Sequence, residues 1–217
     1  MRQVRSAVIL LAVCFFGAAE SAATFIVPSD RELVHQAKAI VIATAQGSFV
    51  VGRPRGMVYT VYELRVEQVI KGAVRLDQRL QLKEDGGAID DWAVGVPDSP
   101  RYEAGERALL FLEQRPDGDW RTWGMPLGKF NFVHDLHGTR LLMRGQDEGA
   151  IFGWDAAGNR YREVYRSEEK FLKFVRDEAC GAAATADYAI DPALLEWPKR
   201  IKAAVNGAGF HACDYME

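Results

Sequence analysis

The 217-residue chain carries 27 Lys and Arg against 30 Asp and Glu, a net charge of −3, and 48% of its residues are hydrophobic. That composition suits a globular protein, and the length is enough to bury one core. The slightly acidic balance argues against a dedicated nucleic-acid binder, and three Cys are too few for a disulfide-built scaffold.

The first 23 residues read as a secretory leader. Arg2 and Arg5 form a charged start, residues 7–16 an apolar core too short to span a bilayer, and Ser21-Ala22-Ala23 a small-residue cleavage site. Cleavage is expected after Ala23, which places the mature protein in the periplasm or outside the cell, with no membrane attachment. An uncleaved anchor and a lipoprotein modified at Cys14 are the competing readings; Val13 stands where the latter needs a small residue. Export permits a disulfide between Cys180 and Cys213, and two unpaired thiols are the equal alternative.

Ser29 and Glu32 have capping-box spacing and open a short helix through about Lys38, with Leu33, Val34 and Ala37 on one side. Residues 39–45 (AIVIATA) are a continuous apolar run of strand length. Residues 47–56 read as a loop with a strand extension at 49–51. Residues 57–72 (MVYTVYELRVEQVIKG) have the strongest strand character. Val58, Thr60, Tyr62, Leu64 and Val66 share one face, and Glu63, Arg65 and Glu67 wet the second half of the other.

Residues 76–84 alternate, with Leu76, Gln78, Leu80 and Leu82 on one face, and Asp85-Gly86-Gly87 stops them. Residues 88–101 form a long loop with Asp90, Asp91 and Asp98. A turn at 102–106 precedes a buried strand at 107–113 (RALLFLE). Hairpins follow around 116–119, joining that strand to 120–124; between 129–134 and 139–144; and between 150–154 and 160–165. Ser167 reads as an N-cap, with Glu168 and Glu169 in the first helical turn and Phe171, Leu172, Phe174 and Val175 on its apolar face. Residues 182–217 are Ala- and Gly-rich, with a helix expected around 198–205. Many short strands with regular turn signals predict a small barrel or sandwich.

Chemical motifs are sparse. His134 and His137 flank a turn and lack the further ligands that zinc needs. Asp85, Asp90, Asp91 and Asp98 lack the spacing of a calcium loop. No carboxylate stands where its neighbours in sequence predict a shifted pKa, and nucleophile-elbow, P-loop and dinucleotide motifs are missing. Arg160, Arg162, Arg166, Lys170 and Lys173 interleave with Tyr161, Tyr165, Phe171 and Phe174 in the manner of a basic, nucleic-acid-binding stripe, but export and the acidic balance favour a solvated helix face. No catalytic residue, metal ligand or cofactor is expected.

Residues 39–41, residues 58–72 ending in Val69-Ile70-Lys71-Gly72, Gly86-Gly87, residues 102–112 (YEAGERALLFL) and residues 124–130 resemble a bacterial secreted domain. That domain is similar in layout to the netrin-like OB-fold modules of tissue inhibitors of metalloproteinases. The resemblance covers residues 30–133. It implies a mainly β fold: a small OB-fold-like barrel with extra hairpins, a short N-terminal helix and a C-terminal helix. The barrel would occupy 24–133, a hairpin-and-helix extension 134–180, and a tail or connector 181–217.

Such domains stand before matrixin-type zinc proteases, and residues 186–198 (ADYAIDPALLEWP) resemble the connector there, so a truncated longer architecture is an expectation. The mature chain would begin Thr24-Phe25, without the Cys that chelates zinc in those inhibitors. The leading expectation is an exported, non-enzymatic barrel that binds protein, either a protease domain or an envelope protein. The competitors are a small hydrolase using the acidic loop 85–98 and a purely structural envelope domain.

Overall fold

The computed structural model describes residues 25–144, 153–161 and 164–196. The expected leader, Cys213 and the expected helix at 198–205 lie outside the described residues. The chain forms β1 (Phe25–Ile26), α1 (Asp30–Gln36), β2 (Ala39–Gly52), β3 (Val58–Lys71), β4 (Arg79–Asp85), β5 (Gly87–Ile89), β6 (Trp92–Val94), β7 (Arg107–Gln114) and β8 (Trp120–Thr122). It continues through β9 (Lys129–His134), β10 (Arg140–Arg144), β11 (Gly153–Trp154), β12 (Tyr165–Ser167), α2 (Glu168–Ala179) and β13 (Ala189–Ile190).

The main sheet has the order β13-β12-β10-β9-β7-β2-β3-β4-β8, and β8 also pairs with β7. That extra pairing closes β2, β3, β4, β8 and β7 into a barrel. Numbered along the chain, its five strands run 1-2-3-5-4 and back to 1, antiparallel except for the β4–β8 seam. This is an OB-type barrel. The parallel seam is thin, registered only at Leu82 and Trp120. Beyond the barrel, β9, β10, β12 and β13 carry the sheet outward from the β7 edge.

The first half of β2, residues 39–45, and β7 are buried on both faces, which is why their sequences read as unbroken apolar runs. Ala39, Val41, Ala43, Ala45, Ala108, Leu110 and Leu112 point into the barrel with Leu64, Val66, Leu80 and Leu82. Ile40, Ile42, Leu109 and Phe111 point the other way, into a second core with Leu33 and Val34 of α1 and Phe171, Phe174 and Val175 of α2. The capping box at Ser29 and Glu32 forms.

Several boundaries differ from the sequence reading. Strand β2 runs on to Gly52, past a bulge between Ala45 and Gly47, so the expected loop is only the turn beyond it. The ladder to β3 propagates through Phe49–Val61 and Val51–Tyr59 pairs, which suit a sheet. Strand β4 starts at Arg79 rather than residue 76; Asp77 has φ +57°, which breaks the extended run, and Leu76 is exposed. The loop at 88–101 contains the β5–β6 hairpin. Of the third expected hairpin, the described residues show a Trp154–Arg160 bridge; β11 pairs in parallel with β1, and β12 pairs with β10.

A buried ion cluster bolts this extension to the start of the fold. Asp30, the first residue of α1, accepts from Arg144 of β10 at 2.8 Å, from Arg166 Nε at 2.8 Å and from Tyr188 at 2.9 Å. Arg166 is therefore among the most buried large side chains, not part of the expected solvated face, while Arg160, Lys170 and Lys173 are exposed. Lys170 and Lys173 pair with Asp187 and Asp177, and Phe171 and Phe174 are core residues. Arg162 lies outside the described residues.

Candidate functional site: a barrel-end cleft over Glu84

Strand β4 alternates inward at Leu80, Leu82 and then Glu84. The alternation carries a carboxylate into the barrel where the apolar layers stop. Glu84 is 3% exposed. Its Oε1 accepts the Thr122 amide at 2.8 Å and the Thr122 hydroxyl at 2.7 Å. Thr122 Oγ1 also shares a hydrogen bond with the buried Tyr102 hydroxyl, and the Tyr102 ring meets Tyr62 edge-on at 4.9 Å. Among the described residues, no donor reaches Glu84 Oε2.

Above Glu84 lies a cleft of about 330 Å³. Tyr62, Val94, Val96, Pro100 and Arg101 are among its walls. The β5–β6 hairpin forms one side because the chain reverses at Gly86 and Gly87, both at positive φ. Gly87 lies so close to the β2–β3 ribbon that a Cβ there would stand 2.9 Å from Thr60 Oγ1 and 3.0 Å from Val50 Cγ1. The wall segment at residues 95–101 is anchored by Lys129. Its ammonium donates to the Arg101 carbonyl at 2.5 Å, pairs with Glu106 at 2.5 Å and sits 4.5 Å from the centre of the Tyr102 ring.

Burial pushes the Glu84 carboxyl up to about 7, against the lowering effect of the two Thr122 donors and of Arg115. Asp85, the next carboxylate, is matched by Arg115 at 2.7 Å. The Glu84 carboxyl at the cleft floor thus has no counter-ion in contact among the described residues. Burial, with Glu84 nearby, also pushes the Tyr102 hydroxyl well up, which keeps it neutral.

The residues singled out from sequence do not converge here. Asp90 and Asp91 form the exposed tip of the β5–β6 hairpin, and Asp98 sits on the loop at positive φ. His134 ends β9, and His137 lies 3.4 Å from Glu196 on the surface. Among the described residues, no three His, Cys, Asp or Glu gather as metal ligands. Cys180 is an exposed thiol at the end of α2. Glu84 was missed because a Glu beside Asp85-Gly86-Gly87 reads as a wet strand end. The available signal was its parity with Leu80 and Leu82.

No protein-family model matches the chain, and neither the curated proteins nor the solved structures contain a significant match. Among the described residues no helix is long and apolar enough to cross a membrane.

Proposed function

We propose that the chain is an exported barrel module that binds another protein by taking a basic side chain of that partner into the cleft over Glu84. The observation that carries this reading is a buried carboxylate at the cleft floor whose second oxygen receives no donor among the described residues. A Lys or Arg brings N–H donors for that oxygen, and a charge-assisted hydrogen bond is the stronger kind. Its aliphatic stem suits the Val94, Val96 and Pro100 walls, and Tyr62 offers aromatic surface.

The leader at residues 1–23 supports export to the periplasm or beyond. The strand order of the barrel is in keeping with the netrin-like resemblance. That resemblance makes a protease domain following the connector at 186–198 the first partner to try, and an envelope protein the second.

Photo-cross-linking tests the reading. A benzophenone amino acid is placed at Ala88 or Val96 on the cleft walls, or at Glu169 on α2 as a control. Discrete adducts from the first two positions, lost on Glu84→Gln, are expected. Adducts indifferent to Glu84→Gln, equal adducts from Glu169, or no adduct would overturn it.

One observation favours a second reading, a small hydrolase. A cleft carboxyl with a pKa of about 7 has the poise of a general acid–base. Against it, two hydroxyls of the cleft wall, Ser99 and Thr60, are committed to the carbonyls of Asp85 at 2.7 Å and of Gly86 at 2.9 Å. Turnover of an ester or glycoside that disappears in Glu84→Gln would favour this alternative; no turnover would dismiss it.

A further inference from the structure

Beyond residue 45, strand β2 leaves the barrel paired on one side only. Strand β7 covers Ala39–Thr44, and the last bonds on that side join Ala45 to Gly105 and Glu106. Residues 46–52 continue the ladder to β3, but among the described residues no strand lies on their other edge. Every residue of this segment is exposed or half-buried, and Phe49 is 44% exposed.

The alternation of the ladder says which groups the edge presents. Val58 turns its carbonyl toward Gly86, away from β2. Its partner Gly52 therefore turns its own amide and carbonyl outward, and so do Val50 and Ser48 at the same parity. Soluble proteins usually blunt such an edge with charge or proline. Here the run is Gly47-Ser48-Phe49-Val50-Val51-Gly52, with neither.

We infer that this edge pairs with the same edge of a second copy, antiparallel about a two-fold axis at Val50. In that register Val50 faces Val50, and Ser48 faces Gly52, so the outward amides and carbonyls of both copies meet. Phe49 faces Val51, an aromatic–β-branched pair of the kind that stabilises sheets. Arg53 of one copy comes beside Gly47 of the other, whose ladder partner is Glu63. The contact is thus self-complementary in hydrogen bonding, apolar pairing and charge, as an isologous interface must be. It buries a short strand on each side and belongs with weak, reversible dimers.

The full mature protein is examined by sedimentation from about 1 µM to about 500 µM, a range that brackets weak association. A monomer–dimer equilibrium is expected, weakened at least about tenfold by Val50→Pro, which removes an outward donor from an edge position where proline is tolerated. Unchanged circular dichroism would show that the variant folds. Val50→Cys should cross-link to itself on mild oxidation, and Gly47→Cys should not. Monomer throughout the range, or a dimer indifferent to Val50→Pro, would overturn the inference. So would Ser48, Val50 and Gly52 amides already protected from exchange at the lowest concentration, because the chain itself would then cover the edge.

Discussion

Glu84 and Thr122 clasp the barrel across its weakest seam. Thr122 ends β8 and gives both amide and hydroxyl to Glu84 on β4, while the two strands are registered at only one other position, Leu82 with Trp120. The carboxylate that floors the cleft also fastens the parallel closure. The proposed ligand binding above Glu84 and the closure of the barrel would therefore share one side chain.

Glu84 should give the stability of the protein a distinctive pH dependence. Its folded pKa lies above the unfolded value, so the folded state holds the extra proton between them. Its contribution is most favourable below about 4.5 and is lost as pH rises through about 7. The full difference is about 3 kcal/mol at 1.36 kcal/mol per pH unit. Glu84→Gln keeps an acceptor for Thr122 and removes the charge. Denaturant unfolding at pH 5 and pH 8 should show the wild type losing stability relative to this variant at the higher pH.

The Asp30 cluster should behave in the opposite sense. Burial raises the Asp30 carboxyl, but Arg166 and Arg144, with the bonds from Arg166 and Tyr188, outweigh it and hold the pKa below 3.8. Its stabilisation is present above 3.8 and is lost as pH falls through the folded value. Asp30→Asn leaves two buried guanidinium groups without their carboxylate and should cost about 3–5 kcal/mol at pH 7. The deficit should narrow at pH 3, as read by urea unfolding.

Gly87→Ala tests whether the hairpin shapes the cleft. A Cβ meets Thr60 and Val50 at a φ of +143°, so β5–β6 must shift. The barrel core lies elsewhere, and a modest loss of about 1 kcal/mol is expected. The cross-links from Ala88 and Val96 should change in yield, while unfolding stays cooperative. An unaltered cross-link pattern would show that the hairpin does not define the site.

How legible this was depended on how many faces of an element are buried. AIVIATA and RALLFLE stood out because barrel and helices cover both sides of β2 and β7. Residues 57–72 were legible because their alternation matches one inner and one wet face. The ribbon beyond residue 45 was harder, since Gly47 and Gly52 are turn residues by composition and the β3 partner overrides that. Asp30 hid behind its neighbours' capping box, and Arg166 behind a basic stripe. Their pairing spans 136 positions in sequence, which no local pattern reveals.

The decisive measurement is a carboxyl-carbon NMR titration of Glu84, alone and with n-butylammonium as a stand-in for a Lys side chain. A midpoint near 7, displaced downward by the amine because a cation favours the carboxylate, is the expected result. Binding of the amine should then strengthen from pH 6 to pH 8, with Asp85, Arg115, Arg101, Tyr62 and Tyr102 as the neighbouring charged and titratable groups. A midpoint near 4.5, or one that the amine leaves unmoved, would contradict the assignment of the cleft as the binding site for a basic group.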